Sequence, residues 1–119
     1  MHVQVSGSVE TGFDTNIRIS QGETLPIDIS FDDAGVPTNL VGYSIFMRIN
    51  SPAPFDFIIE NGGIRIIDAL TGKIQINLAI LPPDFSAGIF PYDLWTILGE
   101  DRMQVLSGYF EVVKKQTPL

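Results

Sequence analysis

The strongest constraint on the fold of this 119-residue chain is that its apolar residues recur at every second position, in short segments. Period-two alternation places apolar side chains on one side of a β-strand, whereas a helix would need a period of about 3.6. Turn residues separate the segments at a spacing typical of β-sandwiches and barrels. We therefore predict seven or eight strands, within residues 16–20, 25–31, 43–49, 55–60, 64–67, 73–78, 90–98 and 103–113.

The clearest strand lies at residues 73–78, where apolar and polar residues alternate without interruption. An antiparallel sheet with one wet side produces this pattern, so Lys73, Gln75 and Asn77 are predicted to face solvent. The apolar positions of this and the other strands predict a core that includes Ile27, Ile29, Ile45, Ile74, Ile76, Tyr92 and Leu94.

The length of the chain suits one domain with one hydrophobic core. Residues 16–113 form the predicted sandwich domain, and residues 114–119 read as a polar C-terminal tail. Residues 1–15 stand apart as an N-terminal extension or arm, because their strand pattern is weak and has no evident pairing partner.

The predicted arm carries three valines, Val3, Val5 and Val9, interrupted by glycines. Fully extended, it would reach about 50 Å, which is long enough to add a strand to the sheet edge of a neighbouring copy. We therefore interpret it as a candidate assembly arm of a homo-oligomer, with a disordered terminus as the alternative. Deleting residues 2–13 should impair assembly if the arm has this role.

Composition excludes several classes of function. The chain has no cysteine and one histidine, His2, so it can form neither a thiolate nor a histidine-cluster metal site. Its net charge of −7 argues against a nucleic-acid-binding face, and no apolar run is long enough to span a membrane. Glycines lie between strands and open no helix, so no phosphate cradle is predicted. We expect no enzyme activity and no cofactor.

The acidic pairs Asp32/Asp33 and Glu100/Asp101 are the candidates for carboxylate chemistry or calcium binding. Both pairs fall in predicted turns, where aspartates commonly bond their own backbone, and the spacing of a calcium-binding loop is missing. We therefore interpret them as turn residues and predict neither catalytic nor metal-binding residues.

Four aromatic residues occur in the last two predicted strands: Tyr92, Trp95, Tyr109 and Phe110. They would form a sugar-stacking platform if they shared one exposed face, but core packing is the more common role of aromatic residues in strands. Both interpretations stay open at the level of sequence.

Three segments carry a resemblance to a known family: residues 19–49 (ISQGETLPIDISFDDAGVPTNLVGYSIFMRI), 61–78 (NGGIRIIDALTGKIQINL) and, more loosely, 87–94 (AGIFPYDL). Together they resemble the immunoglobulin-like domain found at the N-terminus of tailed-phage upper baseplate proteins and in small prophage virion proteins. The resemblance covers residues 16–113 and implies an all-β, immunoglobulin-like antiparallel sandwich. Pro91 departs from the family pattern, because inside a strand it removes a ladder hydrogen bond unless it lies at an edge.

The resemblance implies a non-enzymatic structural component of a tailed-phage virion, in the tail, baseplate, neck or head decoration. Its partners would be other phage structural proteins and further copies of the chain, and its location would be the virion after synthesis in the host cytoplasm. The alternative is a carbohydrate-binding module that recognises the host surface through exposed aromatic residues such as Trp95.

Overall fold

The computed structural model describes residues 2–5, 9–11 and 14–114. These residues form eleven β-strands and one 3₁₀ helix, η1 (Leu78–Ile80). No helix in the described ranges has the length and apolar character needed to cross a membrane. The strands are β1 (His2–Val5), β2 (Val9–Thr11), β3 (Asp14–Ser20), β4 (Ile27–Asp33), β5 (Val36–Pro37), β6 (Ser44–Ile49), β7 (Phe55–Ile58), β8 (Ile64–Asp68), β9 (Lys73–Ile76), β10 (Gly88–Leu98) and β11 (Asp101–Val113).

The strands form two sheets that pack face to face. The five-stranded sheet has the order β1-β4-β9-β8, with β5 also paired to β4, and the six-stranded sheet has the order β2-β3-β11-β10-β6-β7. All pairs are antiparallel except β3 with β11, which is parallel. Strands β1, β4, β9 and β8 occupy the A, B, E and D positions of an immunoglobulin domain, and β11, β10, β6 and β7 occupy G, F, C and C′. The predicted immunoglobulin-like sandwich is confirmed.

All eight predicted strands are present, as β3, β4 and β6 to β11. Three further strands were not predicted: β2 and β5 have only three and two residues, and β1 lies in the N-terminal segment whose strand pattern is weak. All seven predicted core residues are buried, and side chains from both sheets fill the space between them.

One predicted solvent position is wrong. Lys73 is exposed and Gln75 is partly exposed, but Asn77 is buried. Strand β9 ends at Ile76, so the alternation no longer applies at Asn77. Its Oδ1 accepts a hydrogen bond from the Ala79 backbone N–H and caps η1, while its Nδ2 donates to the Gly62 carbonyl. The buried amide is therefore satisfied on both sides.

The N-terminal segment has a pairing partner that the sequence did not reveal. Strand β1 pairs antiparallel with β4, from His2 opposite Asp32 to Val5 opposite Ile29. Val3 and Val5 are each 7% exposed and belong to the core of the same chain. The interpretation of residues 2–5 as a segment without a partner in its own domain is therefore wrong.

Val9, the third valine of the predicted arm, lies in β2, whose backbone pairs antiparallel with β3. The described residues do not include residues 1, 6–8, 12–13 and 115–119, which are parts of the predicted arm and C-terminal tail.

Pro91 lies in β10, which is a central strand and not an edge. The pairing of β6 with β10 begins at Tyr92, and beyond it the Asn50 N–H donates to the Pro91 carbonyl at 2.8 Å. The N–H and C=O of one strand residue point to the same side. At the end of this ladder only the carbonyl of Pro91 is needed, so proline is tolerated there.

Candidate functional site

The structure does not bring the acidic pairs together into a metal site. Asp32 and Asp33 lie at the end of β4, whereas Glu100 and Asp101 lie at the turn between β10 and β11. Within residues 2–5, 9–11 and 14–114, no group of three or more histidine, cysteine, aspartate or glutamate side chains could hold a metal ion. The prediction that Asp32 and Asp33 lie in a turn is wrong, because both belong to β4 and pair with β5. Asp33 accepts a hydrogen bond from the Thr38 hydroxyl at 3.4 Å across this hairpin.

The four aromatic residues of the predicted sugar platform do not share a face. Tyr92 and Phe110 point into the core, with their rings edge to face and centroids 6.2 Å apart. Trp95 and Tyr109 point the other way, and Tyr109 is 54% exposed. The interpretation as core residues therefore holds for Tyr92 and Phe110. The interpretation of all four residues as one sugar-stacking platform is wrong.

Tyr92 connects β3 to the centre of the six-stranded sheet. Its buried hydroxyl donates a hydrogen bond to the Thr15 carbonyl in β3 at 2.5 Å. Gly108 lies opposite Tyr92 on β11, and a Cβ atom there would be 2.1 Å from the same carbonyl oxygen. The close approach of β3 to β11 thus depends on a residue without a side chain.

The six-stranded sheet presents a mixed apolar and charged surface on its solvent side. We call this surface the outer face, defined by the outward positions of five strands: Arg18 of β3; Phe46 and Arg48 of β6; Asp56 and Ile58 of β7; Asp93, Trp95 and Ile97 of β10; and Arg102, Tyr109 and Glu111 of β11. The corresponding side of the five-stranded sheet is polar on β4 and β9, with Asp28, Ser30, Lys73 and Gln75, while its edge strand β8 carries the exposed Ile67.

An apolar strip crosses strands β10, β6 and β7 of the outer face, near the end of β10 that leads into the β10–β11 turn. Trp95 lies opposite Phe46, and Phe46 lies opposite Ile58 on the next strand. The rings of Phe46 and Trp95 are parallel within 6°, with centroids 6.4 Å apart. Ile97 continues the strip along β10 from Trp95, and all four side chains keep part of their surface in solvent. Contiguous apolar surface of this kind marks interaction sites more often than scattered apolar residues do.

A row of charges runs beside the apolar strip. The Arg48 guanidinium donates to both carboxylate oxygens of Asp56, at 2.7 and 2.9 Å, and Asp93 lies opposite Arg48 on β10. These hydrogen bonds favour the charged form and lower the pKa of the Asp56 carboxyl below its ordinary value of 3.8. The same contact raises the pKa of Arg48. The pair is half in solvent, so it orders the surface more than it stabilises the fold.

The pH dependence of this pair can be tested with Asp56→Asn. Because the folded-state pKa of Asp56 is lowered, the stabilisation is fully present above pH 3.8 and is lost as the pH falls through the lower folded-state value. We expect Asp56→Asn to cost a small amount of stability at about pH 6 and less at about pH 3. Urea denaturation at both pH values measures this, with the exposed Asp84→Asn as the control. An equal cost at both values would contradict it.

A second exposed apolar group lies at the end of the sandwich where the β4–β6, β8–β9 and β10–β11 connections meet. The Leu40 N–H donates to the Ala69 carbonyl at 2.7 Å and holds two of these connections together. We call this group the loop-end cluster, formed by Val36, Val41, Leu70, Leu98 and Met103.

Sequence reasoning singled out Trp95 and Tyr109 but missed Phe46, Ile58 and Ile97 on the outer face. Alternation within one strand shows that Phe46 and Ile45 point in opposite directions, yet it does not show which side is the core. An available signal was that β6 and β10 carry large apolar residues on both sides.

Comparisons with known proteins bear on the fold. No protein-family model and no curated protein matches this sequence. Among solved structures, CopC from Methylosinus trichosporium OB3b is similar with a TM-score of 0.50 and 9% sequence identity, over 94% of this chain and 97% of that chain. The N-terminal domain of phage TP901-1 ORF48 gives a TM-score of 0.49 and 13% identity, over 84% of each chain. The likeness to CopC shows that this chain shares its sandwich fold.

Proposed function

We propose that this chain is a non-enzymatic structural component of a tailed-phage virion that acts through protein–protein contacts. The observation that carries the proposal is the outer face, where the apolar strip of Phe46, Ile58, Trp95 and Ile97 lies partly open to solvent on a rigid sheet. Such a surface suits a protein partner, because apolar area surrounded by charged groups is the usual composition of an interface. The sequence resemblance over residues 16–113 supports the part of the proposal that assigns the chain to a tailed phage.

Mass spectrometry of purified particles tests this function. In particles of the phage or prophage that encodes the chain, we expect the protein at a fixed ratio to the other structural proteins. If the protein is produced during infection but is absent from mature particles, the proposed structural role is contradicted. Immunogold labelling or cryo-EM of the same particles would assign it to the tail, baseplate, neck or head.

The second candidate is a carbohydrate-binding module for the host surface. The observation that favours it is the parallel stack of Trp95 on Phe46, since a partly exposed aromatic surface can also hold a sugar ring. Binding of purified protein to host polysaccharide that is lost in Trp95→Ala would support this function. Tyr109→Ala is the matched control, because it removes an exposed aromatic residue from the same face outside the stack.

A further inference from the structure

We propose that two copies of this chain associate as a symmetric dimer through the outer face of the six-stranded sheet. The inference deepens the proposed function and rests on it, because it names the surface through which a structural protein of this kind would pair with itself. Its occupant is a second copy, and charge balance, area and composition support that choice.

The charge balance of the outer face suits self-association. In a symmetric dimer the same surface meets itself, so any net charge on it is repelled by its own copy. The side chains that define the outer face carry three positive and three negative charges, from Arg18, Arg48, Arg102, Asp56, Asp93 and Glu111. Asp14 is at a position of β3 on the same side of the sheet as Arg18, so this side of the sheet has a net charge of −1, and the remaining four basic and ten acidic residues of the sequence have a net charge of −6. Two copies can therefore approach each other here with much less repulsion than the rest of the molecule generates.

The outer face also has the size that a stable dimer needs. Five strands at a spacing of about 4.8 Å give a width of about 24 Å, and the outward positions of β10 from Ile89 to Ile97 span about 27 Å. Two such faces would bury about 1,300 Å² of flat area, above the approximate 1,000 Å² expected of a specific interface. The apolar strip lies within this area on β10, β6 and β7, and the charges of Arg48, Asp56 and Asp93 lie directly beside it, so the area combines the apolar and polar surface that interfaces usually contain.

The loop-end cluster is a poorer surface for self-association. Its aliphatic side chains lie among Asp33, Asp68, Glu100 and Asp101 at the same end of the sandwich. Two copies meeting end to end would bring these carboxylates together, and juxtaposed like charges disfavour association. The outer face is therefore the favoured surface.

Sedimentation velocity and tryptophan fluorescence of the purified chain test the dimer. We expect a mass of twice 13.1 kDa at high concentration and 13.1 kDa on dilution. Trp95 is the only tryptophan and lies on the apolar strip, so its emission should shift to longer wavelength as the dimer dissociates. A mass of 13.1 kDa and constant emission up to about 0.5 mM, a concentration at which even weak interfaces associate, would overturn the inference.

Phe46→Glu places a charge in the apolar strip of the proposed interface while retaining Trp95. We expect it to weaken dimerisation by at least about tenfold, as substitution of a buried aromatic interface residue does. Ile58→Glu is a second variant on the neighbouring strand, and Leu70→Glu on the loop-end cluster is the matched control that should still dimerise. Circular dichroism confirms folding of each variant. A dimer that persists in the folded variants, or that Leu70→Glu alone disrupts, would place the contact elsewhere and overturn the inference.

The failure of this inference and the failure of the proposed function give different results. A monomeric chain that is nevertheless present in purified particles contradicts the dimer alone and leaves a different virion protein as the occupant of the outer face. A dimeric chain that is absent from particles contradicts the virion role alone.

Discussion

Gly108→Ala should destabilise the folded chain by about 3 kcal/mol, because the added methyl group has no space. A Cβ at this position would lie 2.1 Å from the Thr15 carbonyl oxygen and 2.8 Å from its carbon. Both atoms belong to the backbone of β3, so no side-chain rotation can relieve the contact. Strand β3 would have to move away from β11, and the hydrogen bond from Tyr92 to the Thr15 carbonyl would be lost with it.

Urea denaturation of Gly108→Ala measures this cost. Ser107→Ala is the matched control, because the neighbouring side chain points to the opposite side of the same strand and should change stability by less than about 0.5 kcal/mol. A Gly108→Ala variant as stable as the control would show that β3 does not approach β11 as closely as the structure has it.

Replacing both Val3 and Val5 with aspartate should unfold the isolated chain or destabilise it by several kcal/mol. Both valines lie in the core on β1, and burial of an unpaired carboxylate is among the most costly substitutions. Val36→Asp is the matched control, because Val36 lies in β5 of the same sheet and is 66% exposed.

Thermal unfolding of the isolated protein distinguishes the two roles considered for the N-terminal segment. A large loss of stability in the absence of any partner is expected if β1 is a strand of its own domain. If Val3 and Val5 acted only by contacting a neighbouring copy, the isolated variant would unfold at the temperature of the unmodified chain, and the core assignment would be contradicted.

The alternation of apolar residues was enough to predict the fold class. In an antiparallel strand with one buried face, every second residue is apolar, so the pattern of burial can be read from the sequence. Ile74 and Ile76 show this, since each is buried beside an outward polar residue. The pairing of β1 with β4 could not be predicted in the same way. It joins residues about 27 positions apart through backbone hydrogen bonds, which carry little side-chain signature.

The outer face was only partly predictable for a related reason. In β10 the inward set, Tyr92 and Leu94, and the outward set, Trp95 and Ile97, are similarly apolar. The sequence of such a strand does not show which of its two sides faces the core until its neighbouring strands are known. Asn77 shows the complementary case, where a polar residue is buried because the strand has already ended and a cap requires its amide.

The parallel pairing of β3 with β11 has a consequence for the timing of folding. Ile17 pairs with Phe110, and the Tyr92 hydroxyl reaches back to Thr15, so the early strand finds its partners far along the chain. Local hairpins such as β10–β11 can close soon after their residues leave the ribosome, whereas β3 must wait until residues 107–113 have been synthesised. Pairings of such high sequence separation slow folding, because closing the long loop costs conformational entropy before the stabilising contacts have formed. During synthesis, the edge of β3 that will pair with β11 and the core-facing side of β4 therefore stay exposed. Chaperones can bind them there, and so can the same strands of copies on neighbouring ribosomes.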